Sequence, residues 1–231
     1  MVELGLMDLW RMPRLMSSKR LKVLIACEKS GVVRDAFRKL GHDAVSCDIL
    51  PTEQEGPHIQ DDVLKHLGDG WDLMIAHPEC TYLTITGNKW FLPEYKDRFP
   101  NRPQQREAAI KFFLALANAP IQRIAIENPV GIMSTLWREP DQIIQPWQFG
   151  HVEAKKTCLW LKNLPKLQYT KIVTPEYVTF KSGKRMAKWY VEAAKDKVNR
   201  SKIRSKTFQG IADAMALQWG NYKPVQMELC I

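Results

Sequence analysis

Two short stretches combine residue types that can act together on a third molecule. The first is Ala76-His-Pro-Glu-Cys-Thr-Tyr82, directly after the apolar run Trp71–Ala76. A cysteine at the carboxyl end of a buried strand, in a loop stiffened by proline, is presented to a cleft, where its thiolate can attack an electrophilic ring carbon. The second is Ala125-Ile-Glu-Asn-Pro-Val130, at the end of the apolar run Ile121–Ile126. Glu127 offers a carboxyl that can protonate or hydrogen-bond a nitrogen base. Each stretch also has a plainer reading. Cys80 can be a buried structural thiol, and Glu127-Asn128 a helix cap with Pro129 at the first helical position.

The surrounding pattern places both stretches at strand ends. Leu21–Ala26 is a short apolar run before a Ser30-Gly31 turn, and Val32–Leu40 has apolar residues at helical spacing until Gly41 stops it. Asp43–Asp48 reads as a second strand ending in an acid, and Gln60-Asp-Asp-Val63 ends a third segment near His58. Pro103–Ala119 reads as a helix between the two apolar runs. Strands alternating with helices predict an α/β protein, with a mostly parallel sheet and helices on both faces. Ligands on such sheets bind outside the carboxyl ends of the strands, where all of these polar residues fall.

The chain has 231 residues and a net charge of +9, and the basicity is localised. Between His151 and Lys206 there are 15 basic and 4 acidic residues; the rest of the chain has 19 basic and 21 acidic. A basic segment on a near-neutral domain predicts contact with phosphates, the plainer reading being a solvated face. Gly183–Val198 can form a basic helix, and the last helix is expected from Lys206 to Trp219, with Phe208, Ile211, Ala212, Met215 and Leu217 toward the core. Five cysteines, Cys27, Cys47, Cys80, Cys158 and Cys230, show no CxxC spacing and no clustered histidines, so neither zinc nor any other metal is expected. Their odd number and the lack of an export signal favour free thiols in a reducing cytoplasm. Residues 1–20 read as an extension with an alternative start at Met16, and no segment is apolar enough to span a membrane.

In this order, the Cys and Glu-Asn motifs resemble those of the cytosine C5 DNA methyltransferases. In particular they resemble the short methyltransferase-like proteins of phages and prophages, which carry an Ala-Cys-Glu-x-Ser-Gly opening (here Ala26–Gly31) and a stretch similar to Gln148-Phe-Gly-His-Val-Glu-Ala-Lys-Lys-Thr157. The resemblance implies a Rossmann-like class I methyltransferase fold with a small basic lobe. It implies methyl transfer from S-adenosylmethionine to C5 of cytosine in DNA, with Cys80 as nucleophile at C6 and Glu127 and Asn128 beside the ring. It places Cys27, Ser30, Gly31, Asp48, Asp61, Asp62, Val63 and Pro78 at the cofactor. Lys155 and Lys156 take the place of arginines near the target base, a solvated turn being their other reading. The insert from Thr81 to Pro103 interleaves Tyr82, Trp90, Phe91, Tyr95 and Phe99 with Lys89, Lys96, Arg98 and Arg102, and matches the family's loop that closes over the flipped base. A hydrophobic cluster under a long loop is the alternative. Lys89, Trp90, Lys184 and Arg185 are thus expected at nucleic acid.

The departures are specific. Glu79 stands before the nucleophile where the family has proline, and an adjacent carboxylate raises a thiol's pKa. Lys29 replaces an aromatic residue, and Val33 and Arg34 replace glycines; Arg34 is then available to an anionic group of the cofactor. Only about 45 residues, Lys162 to Lys206, stand in for the large recognition domain. The expected organisation is an extension (1–20), a catalytic domain (21–161), a basic lobe (162–205) and a C-terminal helix packing back (206–231). Alternatives from the same residues are RNA, single-stranded DNA or a nucleotide as substrate, an inactive nucleic-acid-binding protein, and an amino-group methyltransferase.

Overall fold

The computed structural model describes residues 19–222 other than 197, 199 and 206. Most of the expected N-terminal extension, with Met16, and also Cys230 lie outside the described residues. The strands are β1 (Lys22–Ala26), β2 (Asp43–Asp48), β3 (His58–Gln60), β4 (Leu73–Ala76), β5 (Arg123–Pro129), β6 (Gln142–Ile144), β7 (Thr157–Lys162), β8 (Tyr177–Thr179) and β9 (Arg185–Ala187). The α-helices are α1 (Val32–Lys39), α2 (Arg102–Ala117), α3 (Met133–Leu136), α4 (Lys188–Lys195), α5 (Arg200–Ser205) and α6 (Gln209–Gly220).

The main sheet has seven strands in the order β3-β2-β1-β4-β5-β7-β6. The pairs β1/β2, β2/β3, β1/β4 and β4/β5 are parallel, and β7 runs antiparallel to both β5 and β6. Successive side chains along a strand point to opposite faces, so the central strands must be apolar on both. Val23, Ile25, Leu73, Ile75, Ala125 and Leu159 form one core with α1 and α6. Leu24, Met74, Ile124, Ile126 and Trp160 form the other, with Phe113 and Leu116 of α2. This is the mostly parallel, Rossmann-like α/β fold expected from the sequence.

The last helix closes the first face. Trp219 is fully buried, and its Nε1 donates to the Pro165 carbonyl at 2.9 Å. Phe208, Ile211, Ala212 and Met215 are buried as expected, whereas Leu217 is 53% exposed, because it falls on the outer side of the helix. Gly210 lets α6 meet the strand-end loop: a Cβ there would lie 2.0 Å from the Phe149 carbonyl oxygen.

Three elements differ from the sequence pattern. Pro129 ends β5 instead of starting a helix, so Glu127 and Asn128 are strand residues paired with Leu159 and Cys158. Gly183–Val198 is not one helix: Gly183 (φ 78°) turns a β8–β9 hairpin, and only Lys188–Lys195 is helical. Residues 163–171 run against the main sheet, where Leu167 is core and exchanges two hydrogen bonds with the Gln142 side chain (2.8 and 2.9 Å). Among the described residues no helix is long and apolar enough to cross a membrane.

Candidate active site

The sheet order reverses between β1 and β4, so the crevice for a ligand opens at their carboxyl ends. Ala76 of β4 lies in register with Ile126 of β5, and the next residues, His77 and Glu127, face each other on the α6 side. His77 Nδ1 and Glu127 Oε2 are 2.9 Å apart, with the side chains 13% and 22% exposed. The His77 backbone is fixed by its N–H to the Ala26 carbonyl (2.9 Å). Burial works to depress the His77 imidazolium, but the hydrogen bond and charge of Glu127, with the charge of Glu28, outweigh it and hold it above its ordinary value. Burial works to raise Glu127, but His77 and then Lys155 outweigh it and hold the carboxyl below its ordinary range. The two shifts agree on an imidazolium–carboxylate pair. Its stabilisation is present above pH 4.5 and below pH 6.5; it fades as pH falls through the lowered Glu127 value or rises through the raised His77 value.

Asn128 faces the other way and ties two loops together. Its Nδ2 donates to the Pro78 carbonyl at 2.8 Å, and the residue is buried. Beyond Pro78, the Cys80 carbonyl accepts from the N–H groups of Leu83 and Thr84, both at 3.0 Å. The turn then pairs with the loop after β5, through Ile132 N–H to the Leu83 carbonyl at 2.8 Å. Gly131 permits this: a Cβ there would lie 2.2 Å from the Leu83 oxygen.

Cys80 is half-buried at this turn and feels both Glu127 and Lys155. Burial pushes its thiol up, Glu127 adds to that, and Lys155 opposes it. Glu79 contributes least; its exposed carboxylate accepts from the Thr81 hydroxyl at 2.7 Å. The departure from proline at position 79 therefore matters less to the thiol than its burial does. Lys155 reaches in from the loop before β7, its Nζ donating to the Arg204 carbonyl at 2.9 Å, whereas Lys156 is exposed. A cavity of about 30 Å³ lies among His77, Glu127, Lys155, Thr157, Phe208 and Met215. That is room for roughly one or two waters, so it forms the floor of the site, not a seat for a base.

The other half of the crevice holds the residues expected at a cofactor. Cys27 leaves β1 with φ 58°, and the charges of Asp48 and Asp62 both act on its thiol, so these three lie together. Asp48 ends β2 and accepts from the Leu50 N–H at 2.9 Å. Asp62 accepts from Leu64 N–H at 3.0 Å, capping a short 3-10 turn that contains the buried Val63. Asp61 is occupied by Lys65 (2.7 Å) and His66 (3.4 Å). Gly31 (φ 76°) precedes α1, and Ser30 Oγ donates to Glu28 at 3.0 Å. Arg34 does not reach toward a ligand. Its side chain is fully buried, paired with Asp35 at 2.7 Å and bound to the carbonyls of Gln54 and Glu55.

Glu28 was not singled out by sequence, and it decides what this crevice can accept. Its Oε1 takes the Val33 N–H at 2.7 Å and its Oε2 takes the Arg34 N–H at 3.2 Å. The N-terminus of α1, where dinucleotide-binding sheets hold a pyrophosphate, is thus filled by the protein's own carboxylate. A phosphate group at that helix end would meet this like charge. Glu28→Ala strands both buried N–H groups, so the expected loss in urea unfolding is about 1–3 kcal/mol, with partial recovery in Glu28→Gln.

The residues expected at nucleic acid divide into engaged and exposed sets. Trp90 packs edge-on against Tyr95 and Phe99 (5.0 and 5.5 Å between ring centres), with Lys89 Nζ 4.3 Å from its own ring centre. Arg106 lies 3.3 Å from the centre of the Phe91 ring, and Arg102 is ringed by Tyr82, Phe91 and Phe99. The aromatics of the insert therefore pack on their own arginines. Lys184 and Arg185 are exposed on the β8–β9 hairpin, with Arg185 over Tyr177 at 4.5 Å. Trp189 anchors this hairpin to the Lys155 loop by donating to the Ala154 carbonyl at 2.9 Å.

Fold and site together define a Rossmann-like α/β protein with a thiol, a carboxylate and an imidazole at the ends of β4 and β5. No family model and no curated protein matches the sequence. A solved Escherichia coli structure described as a "putative DNA modification methyltransferase encoded within prophage" is similar at 14% identity with a TM-score of 0.40. The similarity covers 61% of this chain and 46% of that one, so this chain spans about half of it. A likeness of that extent bears on neither chemistry nor substrate.

Proposed function

We propose that this protein transfers a methyl group from S-adenosylmethionine to C5 of cytosine in DNA. The observation that carries the reading is the meeting of Cys80 and Glu127. They lie 47 positions apart in the chain, yet they come together at the carboxyl ends of the paired strands β4 and β5, where the Glu127 charge acts on the Cys80 thiol and Lys155 acts on both. S-adenosylmethionine, when bound, supplies an electrophilic methyl on a sulfonium. The residues present fit it: Asp48 offers a carboxylate to ribose hydroxyls, and Glu28 sets a like charge against a pyrophosphate but not against a phosphate-free nucleoside.

Cytosine C5 is a weak nucleophile until C6 is saturated. The Cys80 thiol gives up its proton to solvent water, and Lys155 stabilises the thiolate. As the Sγ–C6 bond forms, the C5=C6 electron pair is released toward C5. Glu127 accepts from the ring's 4-amino group; the C5 pair would take the methyl from the bound sulfonium, releasing a neutral thioether, and loss of the C5 proton to water returns the pair to C5=C6 as the Sγ–C6 bond breaks. The ring must leave a duplex stack to reach Cys80. Lys184 and Arg185 on the hairpin, with Lys156, supply exposed positive charge for the backbone.

DNA containing 5-fluorocytosine tests the reading, because fluorine at C5 cannot leave as a proton does. With S-adenosylmethionine present, the wild type is expected to form a covalent DNA adduct on a denaturing gel, and Cys80→Ser none. A product methylated at the 4-amino group, with no adduct from the wild type, would replace this reading with amino-group methylation.

A further inference from the structure

His77 belongs to none of the roles assigned so far, yet it makes the closest contact to Glu127 in the site. Its Nδ1 holds Oε2 of Glu127 at 2.9 Å, its ring lines the cavity floor, and its Nε2 is buried without a hydrogen-bond partner among the described residues. The groups that act on it are Glu127 from β5, Glu28 from the loop before α1, and Lys155 from the loop before β7. Both carboxylates favour the imidazolium; Lys155 opposes it.

A carboxylate so held has one oxygen committed to His77. The other is left as a pure acceptor, because an ionised carboxylate has no proton to give. Placed at the 4-position of a pyrimidine ring, a pure acceptor pairs with a 4-amino group and is opposed by a 4-oxo oxygen. Sites built on one polar match reject the mismatched analogue by large factors, since a buried polar group is then unpaired.

We propose that His77 is a specificity-determining positioning residue: by donating to one oxygen of Glu127 it keeps that carboxylate an acceptor, so the site takes a 4-amino pyrimidine and refuses a 4-oxo one. The inference rests on the reading of Glu127 as the group that meets the ring. Without the imidazole, Glu127 loses its side-chain hydrogen bond to His77 and is left with the charge of Lys155 against a burial that favours its neutral form. A neutral carboxyl can donate to a 4-oxo oxygen, so discrimination is lost and not merely activity.

The test compares covalent adducts with single-stranded DNA carrying one 5-fluorocytosine or one 5-fluorouracil, at pH 7 with S-adenosylmethionine. The wild type is expected to favour the 4-amino ring by at least about 10³-fold. His77→Leu is expected to bring the two within about tenfold, and His77→Gln, whose amide can still donate to Glu127, to restore most of the preference. NMR titration of the Glu127 side-chain carbon in the protein alone gives a second readout. Its midpoint is expected below the ordinary 4.5 in the wild type and above 4.5 in His77→Leu. Unchanged preference in His77→Leu, or an unshifted Glu127 midpoint, overturns the proposal. Failure of the wild type to form any adduct with 5-fluorocytosine overturns the underlying methylation reading instead, and the NMR titration still decides whether His77 controls Glu127.

Discussion

Cys80→Ala is expected to lower the rate of methyl transfer by at least about 10³-fold while leaving the protein folded. The two outcomes separate because Cys80 is a half-buried turn residue whose backbone carbonyl carries the loop's hydrogen bonds, while its sulfur, among the described residues, meets only its own backbone N–H. Alanine keeps those bonds, so urea unfolding is expected to shift by less than about 1 kcal/mol. The wild-type rate should also report the thiol. Because burial and then Glu127 hold Cys80 above its ordinary value, the thiolate is a small fraction at neutral pH. That fraction grows about tenfold per pH unit below the thiol's pKa. Single-turnover rates are therefore expected to climb from pH 6 to pH 8. A flat profile, or a Cys80→Ala enzyme with near-normal rate, would remove the sulfur from the chemistry.

Trp219→Ala is expected to cost about 3–5 kcal/mol, a large part of the roughly 5–15 kcal/mol that holds a domain of this kind together. Trp219 is fully buried among the residues that join α6 to α1, and its Nε1 holds the Pro165 carbonyl. The substitution empties a large volume and leaves that carbonyl unsatisfied. Urea unfolding followed by circular dichroism measures the effect. A shift under about 1 kcal/mol would mean that α6 is not part of the cooperative core. Since Ile211 and Met215 of the same helix, and Phe208 just before it, line the cavity beside Glu127, the variant should lose the site along with stability.

Much of the central fold was legible because parallel strands buried on both faces leave uninterrupted apolar runs. Lys22–Ala26 and Asp43–Asp48 fall within a residue of the expected limits, and α1 likewise. β6 has no such run: it is three residues long, lies at the sheet edge and is flanked by Pro140 and Pro146. The segment after Gly183 has helical periodicity, but pairing with Tyr177–Thr179 overrides local preference, since propensity is a weak prior against tertiary contact. That Cys80 and Glu127 lie at the ends of neighbouring parallel strands was legible from the strand order. The His77–Glu127 pair was not, because it depends on the register of β4 against β5, which no local pattern carries. It was accessible only by aligning the two strand ends and asking which polar residues follow each. The Asp61–Lys65 ion pair is a different omission, visible beforehand from its four-residue spacing.

The carboxylate of Glu28 at the head of α1 also bears on turnover. With Asp48 and Asp62 close by, it gives the crevice a standing negative potential. A sulfonium is drawn to that potential; the neutral thioether left after methyl donation is not. On the reading proposed above, methyl donation would therefore weaken the cofactor's hold on the protein, and spent molecules would exchange for fresh ones without any moving part.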